Sequence, residues 1–146
     1  MTRPSPGVRA DYRSFVPITT RWWDNDVFGH INNAVYYGFI DTAVTTLMLR
    51  AGVLGWRDAL HIVLVAEGGC RFHAEAGFPD QLHAGVRIAR LGGSSIRHEV
   101  GIFRNDDGLA CAEGFIIHVC VDSSTRRPAP MPVDWRRALQ PLVIGN

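Results

Sequence analysis

The chain has 146 residues, 47% hydrophobic and 20% charged, which is the size of one ordinary domain with enough apolar side chains for a core that needs no disulfide or metal staple. Fifteen Lys and Arg residues against fourteen Asp and Glu leave a net charge of +1. No cationic field is available to hold a polyanion, so nucleic acid is not an expected partner.

All the Lys/Arg positions are Arg, which removes Schiff-base lysine chemistry and the lysine of a phosphate-binding loop. Cys70, Cys111 and Cys120 lack the short spacing of zinc ligands and read as reduced thiols in a core. The longest uninterrupted apolar run, Ile62 to Ala66, is too short for a membrane span. The opening MTRPSPGVRADYR has no apolar stretch of the secretory kind, so the expected location is the cytoplasm, with no membrane partner.

In chain order, residues 1–13 carry Pro4, Pro6 and Gly7 and few apolar side chains, the composition of a flexible tail, leaving residues 14–146 as a single domain. Val16, Ile18, Thr19 and Thr20 predict a strand from Ser14 to Arg21. A polar turn follows from Asp24 to His30. From Asn33, Tyr36, Ile40, Ala43, Val44, Leu47, Met48 and Ala51 recur at helical intervals, with Asn32 or Asn33 as N-cap and Gly52 as the stop.

After a short segment from Gly55 to Leu60 the period changes to two. Strands are expected from Ile62 through Phe72 with a bulge at Gly68-Gly69, over Leu82 to Ile88, over Ile96 to Ile102, and from Leu109 to Val121, the last apolar enough to be covered on both faces. Gly92-Gly93 and Asn105-Asp106-Asp107-Gly108 mark hairpin turns, and Val133 to Leu139 a short helix. One helix followed by runs of strands is the order of an α+β fold with an antiparallel sheet. A sheet of about five strands buries such a helix only by curling round it.

The chemistry concentrates where the first strand meets the helix: Asp24, Asp26, His30, Asn32 and Asn33 fall within ten residues. Free amides at a helix N-terminus stabilise developing negative charge, and a carboxylate in the preceding turn can serve as nucleophile or general base. Asp24 also suits a turn cap, and His30 and Asn32 suit hydrogen bonds that order the turn. Asp24, Asp26 and His30 are too few to hold a metal, so no metal site is expected.

The run Asp24-Asn25-Asp26-Val27-Phe28-Gly29-His30-Ile31-Asn32-Asn33-Ala34-Val35-Tyr36 resembles the D-x-D-x-x-G-H-x-N-N-x-x-Y signature of hotdog-fold acyl-CoA thioesterases, the group that includes 4-hydroxybenzoyl-CoA thioesterase. Phe78-Pro79-Asp80, Arg90-Leu91-Gly92-Gly93-Ser94-Ser95, Ala112-Glu113-Gly114, Val119-Cys120-Val121-Asp122 and Arg126-Arg127-Pro128 are similar to that family's later landmarks. The resemblance implies a curved antiparallel sheet round one long helix, an acyl-CoA substrate hydrolysed to free acid and CoA, and no cofactor.

It also implies roles. Asp26 becomes the catalytic carboxylate and the amide near Asn33 the donor to the thioester carbonyl, with His30 beside them. Gly29, Asn32, Tyr36, Arg90, Ser94 and Ser95 become candidate substrate contacts. Glu67 is a reserve base, since some hotdog thioesterases use Glu, and Trp22, Trp23 and Phe28 would bury Asp26. Tyr36 also fits the core, Asp41 a buried or interfacial acceptor, and Arg71, Arg90, Arg97, Arg126 and Arg127 the CoA phosphates. Subunits of this fold pair edge to edge, so a homodimer or homotetramer is expected. The rival readings are a noncatalytic acyl-CoA or acyl-carrier-protein binding module and a hotdog dehydratase or hydratase.

Overall fold

The computed structural model describes residues 2–54 and 59–145. Strand β1 (Ser14–Thr19) leads through a 3-10 turn into helix α1 (Asn33–Arg50), followed by β2 (His61–Phe72), β3 (Gln81–Leu91), β4 (Ser95–Arg104), β5 (Ala112–Asp122) and helix α2 (Val133–Leu139). The five strands form one antiparallel sheet in the order β1-β3-β4-β5-β2. This is the expected hotdog arrangement, a sheet wrapped on α1. The segment from Gly55 to Asp58 lies outside the described residues.

The helix forms where its apolar spacing puts it. Asn32 is the N-cap, its side-chain oxygen accepting from the Ala34 amide at 2.9 Å. At the other end Gly52, with φ +72°, turns the chain out of the helix. The buried face is Tyr36, Phe39, Ile40, Ala43, Val44, Leu47 and Met48. It packs on Leu82, Ala84, Val86 and Ile88 of β3, Ile96, Val100 and Ile102 of β4, and Ala112 and Ile116 of β5. Each fully buried Leu or Ile among them contributes about 1.5–3 kcal/mol.

Three expectations are corrected. The chain before Ser14 is not wholly a loose tail. Tyr12 is buried on the sheet's outer face, where the paired Gly85 and Gly101 leave bare backbone beneath its ring, and Val8 bridges to Leu109. The bulge in β2 falls between Val65 and Glu67 rather than at the glycines, and Gly69 is instead bare because the Phe115 ring lies against it. Strand β5 begins at Ala112 and is covered on one face only, since Glu113, Phe115 and Ile117 on the other face stay half-exposed. Pro17, which cannot donate to a ladder, sits on β1 at the sheet edge where that loss is tolerated.

Candidate active site

The turn between β1 and α1 is built from its own side chains. Asp24 is fully buried, accepting from the Arg21 amide at 2.8 Å and pairing with the Arg21 guanidinium at 2.9 Å. It therefore caps the 3-10 turn rather than facing a substrate. The Asn32 amide donates to the Asp24 carbonyl at 2.9 Å and the Ile31 amide to the Ala76 carbonyl at 2.8 Å, which fastens the turn to the loop after β2. Gly29 has φ +81°, a left-handed conformation that a side chain would disfavour.

Asp26 is held on one side only. Its Oδ1 accepts from the Phe28 amide at 2.9 Å and the His30 amide at 3.3 Å, and its own amide donates to the His30 carbonyl at 2.7 Å. Among the described residues no donor reaches Oδ2. Because the Asn32 cap takes the Ala34 amide, the Asn33 amide opens the helix with no acceptor among the described residues.

Asp26 and Asn33 line one cavity of about 290 Å³, together with His30, Tyr36, Arg3, His73 and Glu75. His30 Nε2 lies 3.0 Å from Glu75 Oε2. Tyr36 packs edge-on against Phe39 and Phe72, and burial pushes its phenol well above the usual range, so it stays neutral.

The arrangement thus unites Asp26, His30, Asn33 and Tyr36. Gly29 and Asn32 shape the turn and the cap. The aromatic cover expected over Asp26 is absent: Trp22, Trp23 and Phe28 are 75%, 87% and 78% exposed. Arg90, Ser94 and Ser95 stand at the other end of β3 and β4, roughly 30 Å of strand away, where Arg136 donates to the Gly92 carbonyl at 2.6 Å. Arg97 lies on the outer face over the Phe115 ring, 4.1 Å from its centroid. Glu67, on the edge strand, and Asp41, on α1, are exposed, so Asp41 is not buried within the chain. Sequence reasoning missed Arg3, His73 and Glu75, which reach the cavity from separate segments and carry no local signature.

This geometry, a carboxylate residue and the first residue of a sheet-wrapped helix lining one cavity, coincides with a family match. The sequence pattern of the thioesterase-like superfamily covers residues 20–139. The chain belongs to that superfamily. Thioester hydrolysis is the chemistry of the group. The chain is 25% identical over 127 residues to the long-chain acyl-CoA thioesterase FadM of Escherichia coli strain K12, covering 86% of this chain and 96% of that one.

Among solved structures, the PA5185 protein of Pseudomonas aeruginosa strain PAO1 superposes with a TM-score of 0.90 at 41% identity, covering 96% of this chain and 97% of that one. A thioesterase of Thermus thermophilus, solved with coenzyme A and Zn, superposes with a TM-score of 0.73 at 28% identity, covering 88% and 92%. Among the described residues of this superfamily member no three His, Cys, Asp or Glu side chains cluster as a metal site, and no helix is long and apolar enough to cross a membrane.

Proposed function

We propose that the protein hydrolyses acyl-CoA thioesters to a free carboxylic acid and CoA, with Asp26 as the reacting carboxylate and the Asn33 amide polarising the carbonyl. The observation that carries this reading is that one cavity is lined by Asp26, which has an oxygen with no donor among the described residues, and by Asn33, whose helix-opening amide has no acceptor among them. A carbonyl oxygen seated at the amide gains negative charge as its carbon is attacked, and the helix dipole favours that charge. Sulfur donates poorly into the carbonyl, so one carboxylate and one oriented donor suffice.

Two routes fit the same atoms. In the first, Oδ2 attacks the carbonyl carbon, the carbon–sulfur bond breaks, CoA leaves as a thiolate that takes up a proton, and water hydrolyses the anhydride. In the second, Asp26 takes a proton from water as that water attacks. Release of thiol from a panel of short, long and aryl CoA thioesters tests the function. A single turnover in ¹⁸O-water, read on both acid and protein, together with hydroxylamine trapping, separates the routes: label on Asp26 with an unlabelled acid, or a trapped Asp26 hydroxamate, marks the anhydride, and a labelled acid with no trapped Asp26 marks general base catalysis.

The reading extends to a pair of subunits. β2 is a twelve-residue edge strand with Leu64 and Val65 exposed, an open ladder that a second copy can continue. Antiparallel pairing of two β2 strands would set the Asp26 end of one subunit against the opposite end of its partner. That relation would offer Arg90, Ser94 and Ser95 to the CoA moiety in trans, which one chain alone does not allow.

A further inference from the structure

The residues before Ser14 lie outside the segment that matches the superfamily, yet they are anchored at successive points. Tyr12 is buried over Gly85 and Gly101. Arg9 donates to the carbonyls of Asn105 at 2.6 Å and Asp107 at 2.9 Å. Gly7 is held between the Ala110 amide, which donates to its carbonyl at 2.9 Å, and Glu113, whose Oε1 accepts from its amide at 3.2 Å. A Cβ on Gly7 would stand 2.6 Å from that oxygen, so a larger residue there would displace the Glu113 carboxylate. The other Glu113 oxygen lies 2.7 Å from His73 Nε2, and His73 lines the Asp26 cavity. From Gly7 the chain, stiffened by Pro6 and Pro4, runs to the same cavity, where Arg3 forms part of the wall.

Arg3 changes the charge of that wall. The other ionisable side chains lining it are Asp26, Glu75, the two imidazoles and the Tyr36 phenol, and Arg3 is the one guanidinium among the described lining residues. An anionic substrate entering past two carboxylates is repelled unless a cation stands beside them, and Arg is suited to bidentate contact with carboxylate or phosphate. We propose that Arg3, delivered by the docked N-terminal strap, anchors an anionic group of the thioester substrate, either a phosphate of CoA or a carboxylate on the acyl chain. This inference rests on the thioesterase reading.

The test compares wild type, Arg3→Ala and Arg3→Lys on three substrates: a simple acyl-CoA, an acyl-CoA with a terminal carboxylate, and the simple acyl group on pantetheine, which lacks the nucleotide phosphates. Arg3→Ala is expected to raise KM about tenfold with kcat held within about threefold, a loss of about 1.4 kcal/mol in binding, and Arg3→Lys to recover part of it. A rise on both CoA thioesters but not on the pantetheine thioester assigns the phosphate. A rise confined to the carboxylate-bearing substrate assigns the acyl carboxylate. Unchanged KM throughout, or an equal fall in kcat on all three substrates, overturns the inference while leaving the thioesterase reading intact. A wild type that releases no thiol from any of them overturns that reading, and the role of Arg3 with it.

Discussion

The Phe28 amide donates to Asp26 Oδ1 across 2.9 Å, so one carboxylate oxygen orders the turn, and no donor among the described residues holds the other. Asp26→Asn keeps a carbonyl acceptor for that bond and removes the anion. It is expected to leave the melting temperature near wild type and to lower kcat by about a hundredfold or more, the range for loss of a positioned base. Asp26→Ala removes the acceptor as well and should also lower the melting temperature. Thiol release and thermal denaturation on both variants check the division of labour.

The Tyr12 ring occupies the space that side chains at Gly85 and Gly101 would fill, with a Cβ at Gly101 standing 2.6 Å from Tyr12 Cε2. Gly101→Ala should therefore destabilise by about 1–3 kcal/mol through overpacking. In the Tyr12→Ala background the same substitution should cost much less, because nothing is left to displace. Urea denaturation of the single and double variants reads this coupling.

His98 and His118 meet beneath α1 with ring centroids 5.4 Å apart. Neither His98 nitrogen has a hydrogen-bond partner among the described residues. Burial, reinforced by the neighbouring His118, pushes the His98 imidazole down to about 3, and burial lowers His118 too, opposed by Asp41. Between about 3 and the ordinary histidine value of about 6.5 the unfolded chain binds a proton that folded His98 refuses. Stability is thus complete above that ordinary value and falls as pH drops below it, with a slope of about 1.4 kcal/mol per pH unit for each such proton. Urea denaturation from pH 7.5 to 4.5 is expected to show this loss, and His98→Leu to flatten its slope by about one proton.

If two copies join through β2, charge on the exposed strand should part them. Val65, 58% exposed, is expected on substitution to Lys to reduce the mass found by light scattering to that of a monomer, without lowering helix or strand content. An unchanged mass would remove β2 as the joining edge.

The turn that carries Asp26 and the long helix were legible in the sequence because their determinants are local. Asp26, Phe28 and His30 bond within four residues, Asn32 caps α1 two residues ahead, and the apolar spacing marks the buried helix face. α2 matches its expected bounds, Val133 to Leu139, for the same reason. The β2 bulge was misplaced because glycine has two uses in a strand, and Gly69 serves close approach to Phe115 rather than an extra residue.

By itself the sequence determined which residues form the turn around Asp26, the helix that opens behind it and the alternating strands, since each depends on neighbours a few positions apart. Only the tertiary structure decided that Arg3, His73 and Glu75 share the cavity of Asp26, that Trp22 and Trp23 turn outward, and that Ser94 and Ser95 stand at the far end of the sheet. Those relations come from strand order, register and long-range bonds, which join residues as much as 106 positions apart. The energy that selects them is burial summed over the whole core, which no short stretch of chain contains.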